Sequence, residues 1–241
     1  MLRPMQPYTA KWQQFLRLRS THDSLAAERR GLRHWLPKAY IAFVIPIQDP
    51  AVLGQLALWQ EAFRSHLAYV PVPVINFHIT LHYIGRLSDT FWLGLLPNTW
   101  RRAALAVLAQ RAQRAIAGYR RFEITIGPLN AFPNVLVAEV EDGEQECLRR
   151  LRTTLRRAMP LRARPRVAWA YLPHVTLGYW GEQAAAPLVE QLRQFRAVEP
   201  VPFTVERMRL TVYRLDSGLP VGEALLAADE DIVAEFTLQD R

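Results

Sequence analysis

A four-residue pattern that occurs twice constrains the fold of this chain more than any other feature. His78-Ile79-Thr80-Leu81 and His174-Val175-Thr176-Leu177 each read histidine, β-branched apolar residue, threonine and leucine, and they start 96 residues apart. Side chains alternate between the two faces of a strand, so each histidine shares a face with the threonine two positions later. The apolar residues between and after them then point into a core. The pattern predicts two half-buried strands, each presenting a histidine and a threonine.

The elements predicted around these strands repeat as well. Each half reads strand, helix, proline-bearing loop and histidine strand, at 40–47, 51–67, 70–74 and 77–84, and again at 135–140, 143–159, 162–166 and 174–180. Further strands are predicted at 122–127, 203–215 and 233–238, a loop or short helix at 89–96, and helices at 100–119 and 182–195. This duplication predicts an α+β fold with two antiparallel sheet lobes, related by a pseudo-twofold axis, with helices outside and a central cleft.

Length and composition favour one bilobal domain preceded by an accessory segment. The chain has 241 residues, half of them apolar, which is enough for a sizeable core. Residues 1–37 are predicted to form an N-terminal helical accessory segment, and residues 38–241 the bilobal domain. Only Cys147 is available as a thiol, so an intrachain disulfide is excluded. Charges interrupt the N-terminus and no apolar run reaches the roughly 20 residues of a membrane span, so we expect a soluble, cytoplasmic monomer that binds no membrane.

Two histidines and two threonines on one cleft suit acid–base chemistry at a phosphodiester. The ordinary pKa of histidine lies near working pH, so one imidazole can accept a proton while another donates one. Threonine hydroxyls can donate to the non-bridging phosphate oxygens, where negative charge builds. The formal charge of +8, nearly all of it arginine, fits a polyanionic partner, although solvated helix faces would account for it equally well.

The residues that carry this pattern resemble the 2H phosphoesterase superfamily, which includes RNA 2′,3′-cyclic phosphodiesterases once called 2′–5′ RNA ligases. The first tetrad with Tyr83-Ile84-Gly85, and Pro173 with the second tetrad, resemble the two family motifs, and the similarity in strand order covers roughly residues 38–215. The chain departs from the family at Gly178-Tyr179-Trp180, where many members carry an arginine. The resemblance implies that His78, Thr80, His174 and Thr176 are the catalytic residues, with no metal or other cofactor. Members usually leave a 2′-phosphate, which implies a histidine acid at the 3′ oxygen.

Several other residues are candidates for contacting a substrate. Counting alternate positions places His82 on the face of His78 and Thr80, as a cleft wall rather than a metal ligand, since the two rings would start about 13 Å apart. The same count places Trp180 on the catalytic face, where it would stack on a base or pack at the rim. Further candidates are Tyr40, Phe132 and Tyr213 near strand ends, and Arg164 and Arg166 in the basic loop, which a solvated charge run would also explain.

The sequence thus predicts a metal-independent hydrolase acting on 2′,3′-cyclic phosphate or 2′–5′ phosphodiester linkages of RNA or nucleotides. A phosphodiesterase degrading cyclic nucleotide or oligonucleotide signals would use the same residues. A non-catalytic RNA-binding module with this fold is a further alternative, although binding alone does not require paired titrating groups.

Overall fold

A computed structural model of the chain describes residues 7–18, 39–65, 69–87, 99–132, 135–143, 145–160, 171–180, 186–214 and 229–240. Its helices are α1 (Pro7–Leu18), α2 (Pro50–Glu61), α3 (Leu105–Ile116), α4 (Cys147–Ala158) and α5 (Ala186–Phe195). Its strands are β1 (Ala39–Pro46), β2 (Tyr69–Pro71), β3 (His78–Leu87), β4 (Thr99–Trp100), β5 (Phe122–Phe132), β6 (Val135–Glu141), β7 (His174–Trp180), β8 (Val201–Val205), β9 (Arg207–Arg214) and β10 (Asp229–Thr237). Short 3-10 turns lie at Val74–Asn76 and Arg102–Ala104.

The main strands form one continuous sheet in which all neighbouring pairs are antiparallel. Its order is β10-β9-β1-β3-β7-β6-β5-β8, with β2 added to β7 and β4 added in parallel to β3. The first four and last four strands are the two lobes, and strand-helix-strand units β1-α2-β3 and β6-α4-β7 correspond across them. The predicted α+β class with two antiparallel lobes and a pseudo-twofold relation is therefore confirmed.

The sheet is curled so that its two ends approach each other. Only Glu206 separates β8, which pairs with β5, from β9, which pairs with β1 near the opposite end. Val205 and Arg207 are two Cα steps apart, at most about 7 Å, so the two ends must be neighbours in space. The predicted single strand over 203–215 is wrong for this reason: alternation continues across Glu206, but the two pieces belong to different lobes.

Two other predicted elements differ from the structure. The proline-rich stretch 70–74, expected as a loop, starts inside β2, because Val70 and Pro71 pair with Tyr179 and Gly178 at the edge of β7. The helix expected over 100–119 begins only at Leu105, since Trp100 pairs with Leu87 as part of β4. Pro71 is tolerated in β2 because β2 is an edge strand, where a residue without an N–H breaks no hydrogen bond of the sheet. The predicted edge strand near the C-terminus is confirmed as β10.

Within the described residues, the two lobes are joined in the centre of the sheet through one residue pair. Ile79 of β3 pairs with Val175 of β7, and both side chains are fully buried in the core. On the two opposite sides of this pair the strands separate, because β7 takes β2 as its neighbour on one side and β3 takes β4 on the other. The sheet face opposite the buried Ile79 and Val175 is called the cleft face below.

Each histidine strand contains a β-bulge directly after its threonine. In β3, Thr80 faces Val44 of β1 but His82 faces the preceding residue Phe43, so Leu81 is the extra residue. In β7, Thr176 faces Val137 of β6 but Gly178 faces Leu136, so Leu177 is the extra residue. A bulge shifts the alternation of side chains by one position. The two bulges occupy equivalent places in the two halves.

The backbone carbonyl freed at the second bulge is satisfied by residues from α2 and β2. The Leu177 carbonyl accepts hydrogen bonds from the Val72 N–H (2.9 Å), the Gln60 side-chain amide (2.6 Å) and the Tyr69 hydroxyl (3.0 Å). Gln60 and Tyr69 are both buried, so these bonds are made away from solvent. The ring of Tyr69 lies directly over Gly178, where a larger residue has no space.

The close approach at Gly178 gives a test of this packing. We expect Gly178→Ala to lower the free energy of unfolding by about 1–3 kcal/mol, because its methyl group would overlap the Tyr69 ring and force a shift. Gly54→Ala is the matched control: Gly54 lies within α2 with nothing within 4 Å of an added Cβ, and the change should stabilise by about 0.5–1 kcal/mol. Urea unfolding of both variants measures the difference, and equal effects of the two substitutions would contradict the packing described.

Candidate active site

The four residues predicted to be catalytic lie together at the junction of the lobes. Because Ile79 pairs with Val175 in antiparallel register, Thr80 lies across from His174, and His78 lies across from Thr176. The paired Ile79 and Val175 point into the core, so the flanking residues project from the other face, into the cleft. The two histidines are diagonal neighbours, about 7–8 Å apart in such a register. One phosphate group can therefore contact both imidazoles.

The two imidazoles are held by equivalent hydrogen bonds. Nδ1 of His78 lies 2.8 Å from the carbonyl of Asn76, and Nδ1 of His174 lies 2.9 Å from the carbonyl of Leu172. A carbonyl only accepts, so each Nδ1 carries the proton and donates it to the residue two positions earlier. In the neutral form, Nε2 is then the unprotonated nitrogen, which can accept a proton. Both histidines are fixed in the same tautomer.

Aromatic side chains pack against each imidazole. The ring of Tyr213 stacks on His78 with 5.3 Å between centroids, and its hydroxyl lies 3.5 Å from Nδ1. Tyr40 stacks on Tyr213 at 4.9 Å, on the side of the cleft formed by the first lobe. In the second lobe, Phe132 meets His174 edge to face at 4.9 Å. Of the sequence-predicted contact residues, Tyr213 and Phe132 thus contact the histidines, and Tyr40 packs on Tyr213.

Two tyrosines that the sequence analysis did not select lie on the cleft face. Tyr83 and Tyr179 each follow the histidine of their strand by five positions, and the bulges turn both toward the cleft side. A second bulge at Ile84 shifts the alternation again, so that Arg86 lies on the side of Tyr83, pairs with Tyr40 and hydrogen-bonds the Tyr83 hydroxyl. The signal was present in the sequence, because both motifs extend to histidine-x-threonine-x-x-tyrosine.

His82 and Trp180 do not lie where strict alternation placed them. His82 is buried and faces the core residue Phe43, and Trp180 is buried in the core, where it packs on Phe15 with 5.8 Å between ring centroids. The expectation that they share the cleft face is wrong, because the bulges at Leu81 and Leu177 shift the alternation before either residue is reached. Tyr83 and Tyr179 take the positions expected for cleft residues.

The remaining candidates fall outside this arrangement. Arg164 and Arg166 lie outside the described residues. Within the described ranges, no three histidine, cysteine, aspartate or glutamate side chains cluster as a metal ligand set would. None of the described helices combines the length and hydropathy needed to cross a bilayer.

The protein environment favours the neutral form of both imidazoles. Burial lowers the pKa of His78 to about 4, and the nearby His174 contributes in the same direction, while the hydrogen bond to Asn76 opposes the change. Burial also lowers the pKa of His174, against the hydrogen bond to Leu172. Among the tyrosines, burial raises the pKa of Tyr179 to about 12. An anion bound between the histidines would favour imidazolium and counteract the effect of burial.

Comparison with known proteins identifies the family of this arrangement. The family model described as the 2'-5' RNA ligase superfamily matches residues 52–217, which include both histidine strands. No curated protein sequence matches the chain.

Solved structures share the fold at low sequence identity. TT0787 of Thermus thermophilus aligns with a TM-score of 0.58 and 20% identity, over 83% of this chain and 97% of its own. LigT of E. coli complexed with phosphate aligns with a TM-score of 0.55 and 17% identity, over 83% of this chain and 96% of its own. LigT complexed with 3'-AMP gives a TM-score of 0.54 and 17% identity over the same shares. At these identities the similarity shows a common fold.

The lowered pKa of His78 predicts how stability depends on pH. The pKa is about 4 in the folded protein and about 6.5 in the unfolded chain, so the unfolded state binds more protons between these values. The stabilising contribution is complete above pH 6.5 and is lost as pH falls toward 4. His78→Asn keeps a donor for the Asn76 carbonyl but does not titrate. Between pH 7.5 and 5, wild type should lose about 1–2 kcal/mol more unfolding free energy than this variant. Parallel pH dependences in denaturant unfolding would contradict the assignment.

Proposed function

Because this chain belongs to the 2'-5' RNA ligase superfamily, we propose that it is a metal-independent phosphodiesterase acting on 2′,3′-cyclic phosphate or 2′–5′ linkages of RNA or nucleotides. The family supports a phosphoesterase or RNA ligase-like activity. The observation that carries the finer proposal is the pair of histidines on one face, each anchored through Nδ1 to a backbone carbonyl. Such anchoring directs both Nε2 atoms to one substrate group.

The reaction needs one neutral and one protonated imidazole. For a 2′,3′-cyclic phosphate, Nε2 of the neutral histidine removes a proton from water, and the water oxygen forms a bond to phosphorus. The bond from phosphorus to one ribose oxygen breaks, and Nε2 of the imidazolium donates its proton to that oxygen. The products are a phosphomonoester and a ribose hydroxyl. The histidines exchange protonation states and return to the starting state through solvent.

The two threonines are proposed to stabilise the negative charge that develops on the non-bridging phosphate oxygens. Thr80 is exposed on the cleft face, and Thr176 is half-buried on the same face. Each lies across from the histidine of the other strand, so each hydroxyl is near the non-bridging oxygens of a phosphate held between the rings. Donation to those oxygens strengthens as negative charge increases in the transition state.

The aromatic neighbours would keep the imidazoles in a fixed orientation. Tyr213 is buried and stacks on the His78 ring. Tyr40, which is partly buried, packs against both Tyr213 and the exposed Tyr83. Aromatic faces of this kind can stack on nucleobases without selecting a sequence. LigT, which shares the fold, has been solved with phosphate and with 3'-AMP, which supports a phosphate-bearing nucleotide as the ligand class here.

A substrate panel in EDTA tests the proposal. It contains 2′,3′-cyclic nucleotides, 2′–5′ oligoadenylates and cyclic dinucleotides, and the expected result is turnover of the first two classes. Turnover of cyclic dinucleotides alone would instead support a signal-degrading enzyme. Binding of RNA without turnover of any compound would support a non-catalytic module. Activity that is lost in EDTA and restored by a divalent ion would contradict the metal-independent mechanism.

Substitution of the four residues should separate their roles. We expect His78→Ala and His174→Ala each to lower kcat by about 10²–10⁴, because a general acid or base is removed. Thr80→Ala and Thr176→Ala should lower kcat by about 10–10³, because one donor to the charged oxygen is lost. The double histidine variant should lose less than the product of the single losses. Thr204→Ala, an exposed strand threonine on β8, is the matched control. Rates near wild type in both histidine variants would place the chemistry elsewhere.

The pH dependence should be bell-shaped and should move when substrate binds. In the free enzyme, burial lowers the pKa of both histidines, so the limbs of kcat/KM should lie below pH 6.5. The bound phosphodiester anion favours imidazolium, so the kcat profile should lie at higher pH. The two apparent values belong to the coupled pair, and replacing one histidine should remove one limb. A flat kcat/KM profile from pH 4 to 9, with chemistry rate-limiting, would contradict the two-histidine mechanism.

A further inference from the structure

Helix α1 is anchored where the His174 strand begins. The ladder between β6 and β7 ends at Glu139 and His174, and the next residue of the incoming chain is Pro173, which has no N–H to donate. The Tyr8 hydroxyl occupies this position. It accepts from the Val140 N–H at 2.9 Å, and it lies within hydrogen-bond distance of the carbonyls of Val140 and Pro173. Helix α1 therefore supplies, through the Tyr8 hydroxyl, a hydrogen-bond donor at the position where Pro173 has none.

A second set of contacts fixes the same helix against β5 and β6. The Asn130 amide donates to the Tyr8 carbonyl at 3.1 Å and to Glu139 at 2.6 Å. Glu139 also pairs with Arg196, whose guanidinium lies 5.7 Å from the centroid of the Trp12 ring. Asn130 and Glu139 are buried, so these bonds are made inside the protein. Helix α1 is held at defined positions on the second lobe.

This attachment places Lys11 next to the aromatic residue that contacts His174. Lys11 follows Tyr8 by three residues, and its Nζ lies 6.0 Å from the centroid of the Phe132 ring. The Phe132 ring in turn packs edge to face on His174 at 4.9 Å. One of the ammonium's three donors goes to Gln14 of the same helix at 3.0 Å. The Lys11 ammonium and the His174 imidazole thus both lie against the Phe132 ring.

We propose that Lys11 binds the phosphate next to the reacting one, and that the preferred substrate is an oligonucleotide longer than one nucleotide. The inference rests on the proposed function of the cleft. The reacting phosphate lies between the two Nε2 atoms, whereas Lys11 lies beyond Phe132, one ring away from His174. A flexible lysine with a compact charge suits the backbone phosphate that precedes the reacting nucleotide, on its 5′ side. Helix α1 precedes the segment matched by the family model, which begins at residue 52.

The test compares two substrates that differ only in length. One is a 2′,3′-cyclic mononucleotide, and the other is a short oligonucleotide that ends in the same 2′,3′-cyclic phosphate. Lys11→Gln should lower the ratio of kcat/KM for the oligonucleotide to that for the mononucleotide by about three- to tenfold, mainly through KM, because a charged hydrogen bond is lost. Lys11→Arg should restore most of the ratio. Arg193→Gln on α5 removes one exposed positive charge elsewhere and should leave the ratio at its wild-type value.

Salt dependence distinguishes a phosphate contact from a structural role. Each phosphate contact to a single strand contributes about 0.7 to the slope of log affinity against log salt, so Lys11→Gln should flatten that slope by about 0.7 for the oligonucleotide. The salt dependence of Kd is also measured for an oligonucleotide that ends in a 3′-phosphate. This binding measurement tests the Lys11 contact even if neither cyclic substrate turns over. Loss of turnover in wild type would refute the proposed function, whereas an unchanged ratio and an unchanged slope in Lys11→Gln would refute the role of Lys11.

Discussion

The backbone pairing of Ile79 with Val175 is the interaction on which the site depends. It joins the two lobes in the centre of the sheet, and both side chains of the pair are buried in the core. Burial fixes the register, because a slip of one residue would expose both apolar side chains and bury the histidines. The same register sets each histidine across from the threonine of the other strand. Core packing therefore determines the geometry of the candidate active site.

The two strands leave their common ladder on opposite sides of the Ile79–Val175 pair, each after its threonine. The bulges at Leu81 and Leu177 disrupt the regular ladder at equivalent points, and each strand then takes a different short partner. A bulge bends its strand and increases the local twist, so each strand turns away from the other beyond its threonine. The freed carbonyl of Leu177 is satisfied by buried donors, which makes the distortion a stable part of the fold. The separation of the two strands is therefore built into the backbone.

Burial and substrate charge act in opposite directions on the two imidazoles. Without an anion, burial favours neutral rings, and the Nδ1 hydrogen bonds leave Nε2 as the unprotonated nitrogen of each ring. An anion between the rings favours imidazolium. A substrate phosphate would thus promote the mixed protonation state that acid–base catalysis needs. Helix α1 stabilises this arrangement from outside the duplicated core, since Tyr8 holds the backbone directly before His174.

The sequence by itself determined the duplicated organisation, the α+β class and the four residues at the junction. These follow from short-range alternation, since His78 and Thr80, like His174 and Thr176, are only two positions apart on a strand. The sequence did not determine the residues beyond the threonines. His82 and Trp180 were expected on the cleft face, but Tyr83 and Tyr179 occupy it, because a bulge is created by pairing with β1 or β6 and strict alternation does not register it. The tyrosine repeated five residues after each histidine is the local sign of it. The division of 203–215 between two lobes, and the contact of Tyr8 and Lys11 with the second lobe, join residues far apart in the chain. Only the tertiary structure decides such contacts, because they depend on how the curled sheet brings its strands and its ends together.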